Sequence, residues 1–465
     1  MKKFFLISIF FSLWLAVSAT TITVKPGELA SLLAKNKPDA TLVLKGEADA
    51  RDLALLRDLS GVNILDLGSL SITAIETDNP LLNGRTVFSA NHLPAYIFFD
   101  APFSKVILPA SLTAVEAGSF SGSALAEVSV PEGVTAIGDY TFYGCRNLKK
   151  ITLPKTLLSI GRAAFASCPA LESINLEASK VRSLPAESFA GDSALHSLSI
   201  LNIDSIGSRA FARSGIERLD LPAGVEMQPF ALADMNQLLI LNAPSDIIFP
   251  EGALMNCTSL ASVNCSPQSI PALFAANCGN LDTSTLLADA SSVGKYAMAH
   301  SHSAKVVLGP GVSMIDDKAF KSMYHLNDID ASALGDKIPE VSDNAFEGRE
   351  CGDIWLKVAD DLEQLWGDHP VWGRFRIYTD ISAVPEISAD AAGSGIEVSI
   401  SRGMLRISAP SAITAAALYD ASGNLLLALP EGDTEASVSI GALPGGVAIV
   451  SVRTATDFKG VKVIL

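Results

Sequence analysis

Four cysteines stand at one repeating position. Cys145, Cys168, Cys257 and Cys278 each precede a Leu by three residues. In adjacent turns of a stacked chain, thiols so placed would lie about 4.8 Å apart, within disulfide reach. The pairings would be Cys145–Cys168 and Cys257–Cys278. Elsewhere the same position holds Met235, Met323 or Asp192. A column that exchanges Cys for Met is a packing column. The cysteines are therefore read as buried thiols, with the two disulfides as the alternative an oxidising compartment allows. His300 and His302 would share one face of a strand and could hold a metal. No acidic or Cys partner is near them in sequence, so they are read as a solvent-facing pair and no metal is expected. Asp316-Asp317 and Asp360-Asp361 are paired carboxylates. Glycoside hydrolysis needs two carboxylates facing one cleft, and consecutive residues point apart. The chain also lacks a dinucleotide glycine motif, a phosphate loop, a nucleophile elbow and His-Glu-x-x-His. No enzyme and no cofactor is expected.

The cysteine column belongs to a repeat. Residues 137–154, IGDYTFYGCRNLKKITLP, are nearly rewritten at 160–176, IGRAAFASCPALESINL. Aligned on Phe, the column runs Phe120, Phe142, Phe165, Phe189, Phe211, Leu232, Leu254, about Phe274, Met298, Phe320 and Phe346. Five or six residues later comes Leu or Ile. Then follows an alternating apolar pair such as Val128/Val130, Ile151/Leu153, Ile174/Leu176, Leu198/Ile200 or Leu219/Leu221. A period near 22 marks a solenoid, and an alternating pair marks a short strand with two side chains inward. The expected fold is an α/β-type repeat solenoid with one short parallel strand per coil, followed by a small all-β sandwich. The coil around Phe274 falls out of register, and Ser303 stands where Leu is expected.

These residues resemble the BspA-like leucine-rich repeats of bacterial surface proteins. The motif recurs about eleven times over residues 94–358. Residues 20–93 resemble the N-terminal cap of such proteins, reading strand, helix, strand, helix, strand to residue 68. Residues 359–380, with LEQLWGDHPVWGRFRIY, resemble the closing segment, where Trp366, Trp372 and Phe375 would cover the open core. The resemblance implies surface roles, such as adhesion to host or matrix proteins or to other bacteria.

Residues 1–19, MKKFFLISIFFSLWLAVSA, carry two lysines, an apolar run and a small-residue cleavage site, which is a secretory signal peptide. No later stretch is long and apolar enough to span a membrane. The net charge of −16 argues against nucleic acid and anionic lipid as partners. Residues 381–392 read as a linker. Residues 393–465 alternate as a β-sandwich. Asp420-Ala421-Ser422-Gly423-Asn424 and Leu443-Pro444-Gly445-Gly446-Val447 are similar to the C-terminal sorting domain of the type nine secretion system of Bacteroidetes, which is often removed as cargo reaches the surface. A sandwich that stays attached is the alternative. Asp192-Ser193-Ala194 also fits the short O-glycan acceptor pattern of exported Bacteroidetes proteins.

A solenoid binds along its regular face. The outward residues of the strands offer Thr152, Asn175, Ser199, Asp220, Arg218, Asn242, Asn264 and Asp330 as candidate binding residues. They form a ribbon of small polar groups almost without aromatics. That composition fits a protein partner over a shallow, extended interface. The expectation is an exported, monomeric protein at the cell surface or outer membrane, or secreted, that binds an unidentified protein. A glycan-binding accessory protein of a nutrient-uptake system, and a hydrolase, are the alternatives.

Overall fold

The computed structural model describes residues 19–79, 82, 84–283, 286–379, 396–401, 404–420, 425–429, 432–440, 447–455 and 458–464. The signal-peptide expectation, the linker expectation and most of both turns behind the sorting-domain resemblance lie outside the described residues. The chain divides into two compact units, residues 1–380 and 381–465.

The first unit is a stack of coils joined by recurring strips of hydrogen bonds. The main strip is a parallel ladder. It opens with Ala19–Val24, Thr41–Ala48 and Ile64–Ile72 and continues through Lys105–Ile107, Glu127–Ser129, Lys150–Thr152 and Ser173–Ile174. Two short helices, Leu29–Lys35 and Ala50–Leu56, connect the first three strands. Buried Asp52 ties them together by accepting from the backbone N–H of Gly27 at 2.8 Å and of Leu29 at 3.1 Å. The ladder resumes as Arg218–Asp220, Ile240–Asn242 and Ser262–Asn264. It resumes again as Lys305–Val307, Asp328–Asp330, Trp355–Lys357 and Arg376–Tyr378.

A second ladder runs along the Ile-Gly positions. Two-residue strands such as Ala114–Val115, Ala136–Ile137 and Ser159–Ile160 pair in parallel there. Glycine follows because the coils nearly touch: a Cβ on Gly138 or Gly161 would collide with the backbone of residue 117 or 139. A third strip surrounds the Phe column. In the coil of Phe142, the N–H groups of Tyr140, Phe142 and Gly144 donate to Arg162, Ala164 and Ala166 of the next coil. The pattern recurs along the stack, always donating toward the C-terminal end.

The core is a spine of aromatic rings. Phe98, Phe120, Phe142, Phe165, Phe189 and Phe211 follow one another at centroid spacings of 5.3–6.0 Å. Leu232 and Leu254 continue it. In the next coil the column position belongs to Ala275 rather than Phe274, since Leu254 N donates to Phe274 O and Ala275 N to Ala297 O. Phe274 turns one residue early and packs edge-on against Phe249 at 5.0 Å, filling the space a column ring would take. Phe320 and Phe346 resume the stack at 5.2 Å. Beyond them Trp372 and Phe375 lie 5.8 and 5.0 Å from Phe346, and Trp366 lies 5.6 Å from Trp372. The buried indole N–H groups of Trp366 and Trp372 donate to Gly335 O and Pro339 O. Ser303 is buried for its hydrogen bonds: its hydroxyl donates to Lys305 O and accepts from Thr283 N.

The second unit is all β. Glu397–Ser401, Met404–Ser408 and Glu435–Ser439 form one antiparallel sheet. Leu425–Ala428, Ile413–Asp420, Val447–Thr454 and Phe458–Ile464 form another. Leu405, Ile407, Leu418, Val450 and Val452 form its core.

Candidate functional site

The candidate residues lie along the main ladder, and the ladder does not treat them alike. Asn175 is spent on structure: its side-chain amide accepts from Leu153 N at 2.7 Å and donates to Leu153 O at 3.1 Å. That clamp stands in for a strand residue and ends the strand Ser173–Ile174. Asp330 is likewise occupied, accepting from Ser332 N and, at 2.6 Å, from Ser332 Oγ at the start of a helical turn. Asp220, Asn242 and Asn264 form a side-chain ladder across three strands. Asn264 Nδ2 donates to Asn242 Oδ1 at 2.6 Å, and Asn242 Nδ2 donates to Asp220 Oδ1. The Asn242 amide, aided by Arg218, holds the Asp220 carboxyl below its usual range. Thr152 is half-buried at the outer face of its strand. Asp330 sits in a separate sheet from the others.

Ser199 is the exception. The alternating pair Leu198/Ile200 predicts a strand, and none forms. Among the described residues, no backbone hydrogen bond joins residues 197–201 to either neighbouring coil. The cause is a mismatch in length. The preceding coil takes ten residues from Ile174 to Leu184, through a helical turn at Leu176–Ala178, while this coil takes eight from Leu198 to Ile206. The short path cannot follow the longer one, so Leu198 is only half-buried and Leu201 is 63% exposed. The interruption leaves a groove of about 600 Å³ on the sheet face. Glu172 and Glu177 line one wall, Ser197, Ser199 and Leu201 the floor, and Glu217, Arg218 and Asp220 the other wall. His196 stands at its edge, with Nδ1 3.2 Å from Gly215 O and 3.8 Å from Glu217 Oε1. The groove thus brings together Ser199, Arg218 and Asp220, with unpaired strand edges on both sides.

The same coil holds a buried carboxylate. Asp192 occupies the cysteine column, with Oδ1 accepting from Cys168 N at 2.8 Å and Oδ2 unpartnered. Burial pushes this carboxyl well above its ordinary range. The hydroxyl of Ser214, one coil on in the same column, is also buried without a partner. In the Asp192-Ser193-Ala194 motif, only Ser193 and Ala194 reach the surface.

Neither candidate disulfide, Cys145–Cys168 or Cys257–Cys278, is formed: all six cysteines are free thiols. Each column thiol instead donates to a carbonyl of the preceding coil, Cys145 to Phe120 O at 3.0 Å, Cys168 to Phe142 O, Cys257 to Leu232 O and Cys278 to Leu254 O. The neighbouring Cys145 thiol and burial push Cys168 up, and burial pushes Cys265 up to about 11. His300 and His302 lie in a turn, not on a strand, and His302 meets His325 of the next coil, ring centroids 4.8 Å apart. No cluster of metal-ligating side chains occurs among the described residues. Asp317 is held below its usual range by Lys295, 3.1 Å away, and Asp360 and Asp361 sit in an exposed turn.

Six copies of the BspA type Leucine rich repeat region match residues 91–217 and 227–354, together more than half of the chain. The chain belongs to the BspA-type leucine-rich repeat family. No curated protein matches this BspA-type chain. Among solved structures it is similar to a leucine-rich repeat protein of Bacteroides ovatus, at 19% identity over 72% of this chain and 83% of that one, with a TM-score of 0.52. It is also similar to a leucine rich cell surface protein of Faecalibacterium prausnitzii, at 17% identity over 55% and 85% of the two chains, TM-score 0.28. A third is the pneumococcal vaccine antigen PcpA, at 13% identity over 78% and 82%, TM-score 0.33. The first of these shares the solenoid fold. No helix among the described residues is long and apolar enough to cross a membrane.

Proposed function

We propose that this BspA-type protein is exported, acts at the cell surface without catalysis, and binds another protein along its sheet face. The groove at residues 197–201 carries the reading. It places exposed side chains, an exposed Leu201 and two open strand edges in one recess, which suits an extended segment of a partner. Asp220, Asn242 and Asn264 would continue the interface as a rigid polar rim. The two antiparallel sheets of residues 393–465 support a role as a sorting domain that directs the chain across the outer membrane. The alternating sequence after residue 393 supports it too.

The test is solid-phase binding of the purified chain to immobilised fibronectin, fibrinogen, laminin and collagen and to whole cells of neighbouring bacteria. Wild type is expected to bind at least one, and Ser199→Arg with Leu201→Glu to lose it about tenfold or more. Equal binding by the variant would sink the groove reading. Protease treatment of intact cells, with intact mass of the mature chain, tests export. Removal of surface protein lacking the C-terminal sheets is expected. A full-length, protease-protected chain would contradict it.

A further inference from the structure

The backbone and the charge of the groove at residues 197–201 together narrow what can occupy it. Among the described residues, the N–H and C=O groups of Ser197, Leu198 and Ser199 bond to no other backbone group, and all three residues are at least partly exposed. The strands on either side, Ser173–Ile174 and Arg218–Asp220, each pair only with the strand on the side away from the groove. An extended segment laid in the groove therefore meets unspent donors and acceptors, which is the condition for adding a strand.

The walls carry charge of one sign. Glu172 and Glu177 stand on one side, and Glu217 and Asp220 on the other. The two wall strands are two coil spacings apart, about 10 Å. Arg218 is the one lining side chain of opposite sign when His is counted neutral. Among the described residues, the basic side chains within ion-pair reach of these carboxylates are Arg218, 3.3 Å from Asp220, and His196, 3.8 Å from Glu217. Asp220 also accepts from Asn242. Glu172 and Glu177 are exposed and have no such partner. Lys149 and Lys150, one coil back, do not line the groove. Nor are the carboxylates gathered round an ion, since no group of three metal-ligating side chains occurs among the described residues.

We propose that the groove takes an extended lysine- or arginine-rich segment of a partner protein, which adds to the open ladder and sets its basic side chains beside Glu172, Glu177 and Glu217. The proposal rests on the reading that a protein binds in this groove, and it names the chemistry of that protein. In an added strand every second side chain takes the outward face, where cross-strand neighbours of opposite charge attract. An acidic segment would be repelled by the same three carboxylates. A neutral one would leave them without a counter-charge.

The experiment is fluorescence anisotropy of the purified full chain with three labelled, end-capped peptides: alternating Lys-Thr, alternating Glu-Thr and alternating Ser-Thr. Lys-Thr is expected to bind, to weaken with added salt, and to bind about tenfold or more tightly than the other two. Lys-Thr with every second amide N-methylated is expected to bind about tenfold less, because it cannot pair with the backbone. Glu172→Gln with Glu177→Gln and Glu217→Gln removes charge without filling the groove, and is expected to erase the preference for Lys-Thr while unfolding at the wild-type temperature. Ser199→Arg with Leu201→Glu fills the groove without changing its net charge, and is expected to abolish binding. Asp360→Asn with Asp361→Asn, in an exposed turn outside the groove, is expected to keep it, which separates the groove from adhesion to an acidic chain at large. Ser-Thr bound as tightly as Lys-Thr, and lost on filling the groove, would overturn the basic preference and leave the groove reading standing. No binding of Lys-Thr, binding that survives groove filling, or a preference unchanged in the triple Gln variant would each overturn the proposal.

Discussion

The coil of Phe142 and the coil of Phe189 are written in the same formula and behave differently. Both place a Phe in the spine, a Leu six residues on and an alternating apolar pair after that. In the first, Lys150–Thr152 pairs with both neighbours. In the second, residues 197–201 pair with neither. Both phenylalanines are fully buried, so the break is not a failure of the core. The stack is held by the spine and by the strip of hydrogen bonds around it, while the main ladder can be opened locally. A solenoid of this kind can therefore make a recess without losing its continuity, because each coil contacts only its neighbours.

The comparison breaks most readily at the spine. Phe165→Ala removes a ring stacked 5.8 Å from Phe142 and 5.3 Å from Phe189, and is expected to cost about 3–5 kcal/mol in urea unfolding. Leu198→Ala, in the open coil, is expected to cost under about 1 kcal/mol. Similar losses would mean that residues 197–201 are packed as tightly as the paired coils.

A smaller effect is expected at Asp192, which sits in the open coil where the paired coils have Cys145 and Cys168. Its carboxyl has a raised pKa in the folded chain and an ordinary one, about 3.9, in the unfolded chain. Its contribution to stability is thus full below about pH 4 and is lost as pH rises through the folded value. Asp192→Asn keeps an acceptor for Cys168 N–H and removes the ionisation. It should stabilise by roughly 1–3 kcal/mol at neutral pH and gain little in acid. Thermal unfolding across pH checks this, and a gain independent of pH would refute the buried-carboxylate account.

Smaller still, Asn242→Ala removes the middle of the Asp220–Asn242–Asn264 ladder and is expected to cost about 0.5–1.5 kcal/mol. Urea unfolding reads it. The least perturbing probe is thiol alkylation. The buried column thiols should be inert in the folded chain, and all six cysteines should react after unfolding. Mass spectrometry counts them, and a pair that stays unreactive without reductant would show a disulfide.

The solenoid was legible in the sequence because its buried columns repeat: Phe142, Cys145, Leu148 and Ile151 return as Phe165, Cys168, Leu171 and Ile174. The second ladder was not, because two residues per strand are too few to show alternation. The register at Ala275 was hidden by Phe274 beside it, whose size imitates a column residue. The opening at Ser199 was illegible for a different reason. Leu198 and Ile200 alternate as a strand should, and only the lengths of the connections in two neighbouring coils disclose that it cannot pair. The exposed rings of Tyr96, Phe99 and Tyr143 follow no short period. Buried positions are therefore readable from composition and spacing, whereas surface features depend on how one coil is offset against the next.

The open coil is tested most directly by amide hydrogen exchange on the intact protein, comparing residues 196–201 with Lys150–Thr152 and Ile240–Asn242. Exchange follows local hydrogen bonding and local opening. The account predicts rapid exchange across 196–201 between two protected ladders. Protection of 196–201 equal to that of Ile151 and Leu241 would mean that the ladder is continuous, and the groove would not exist.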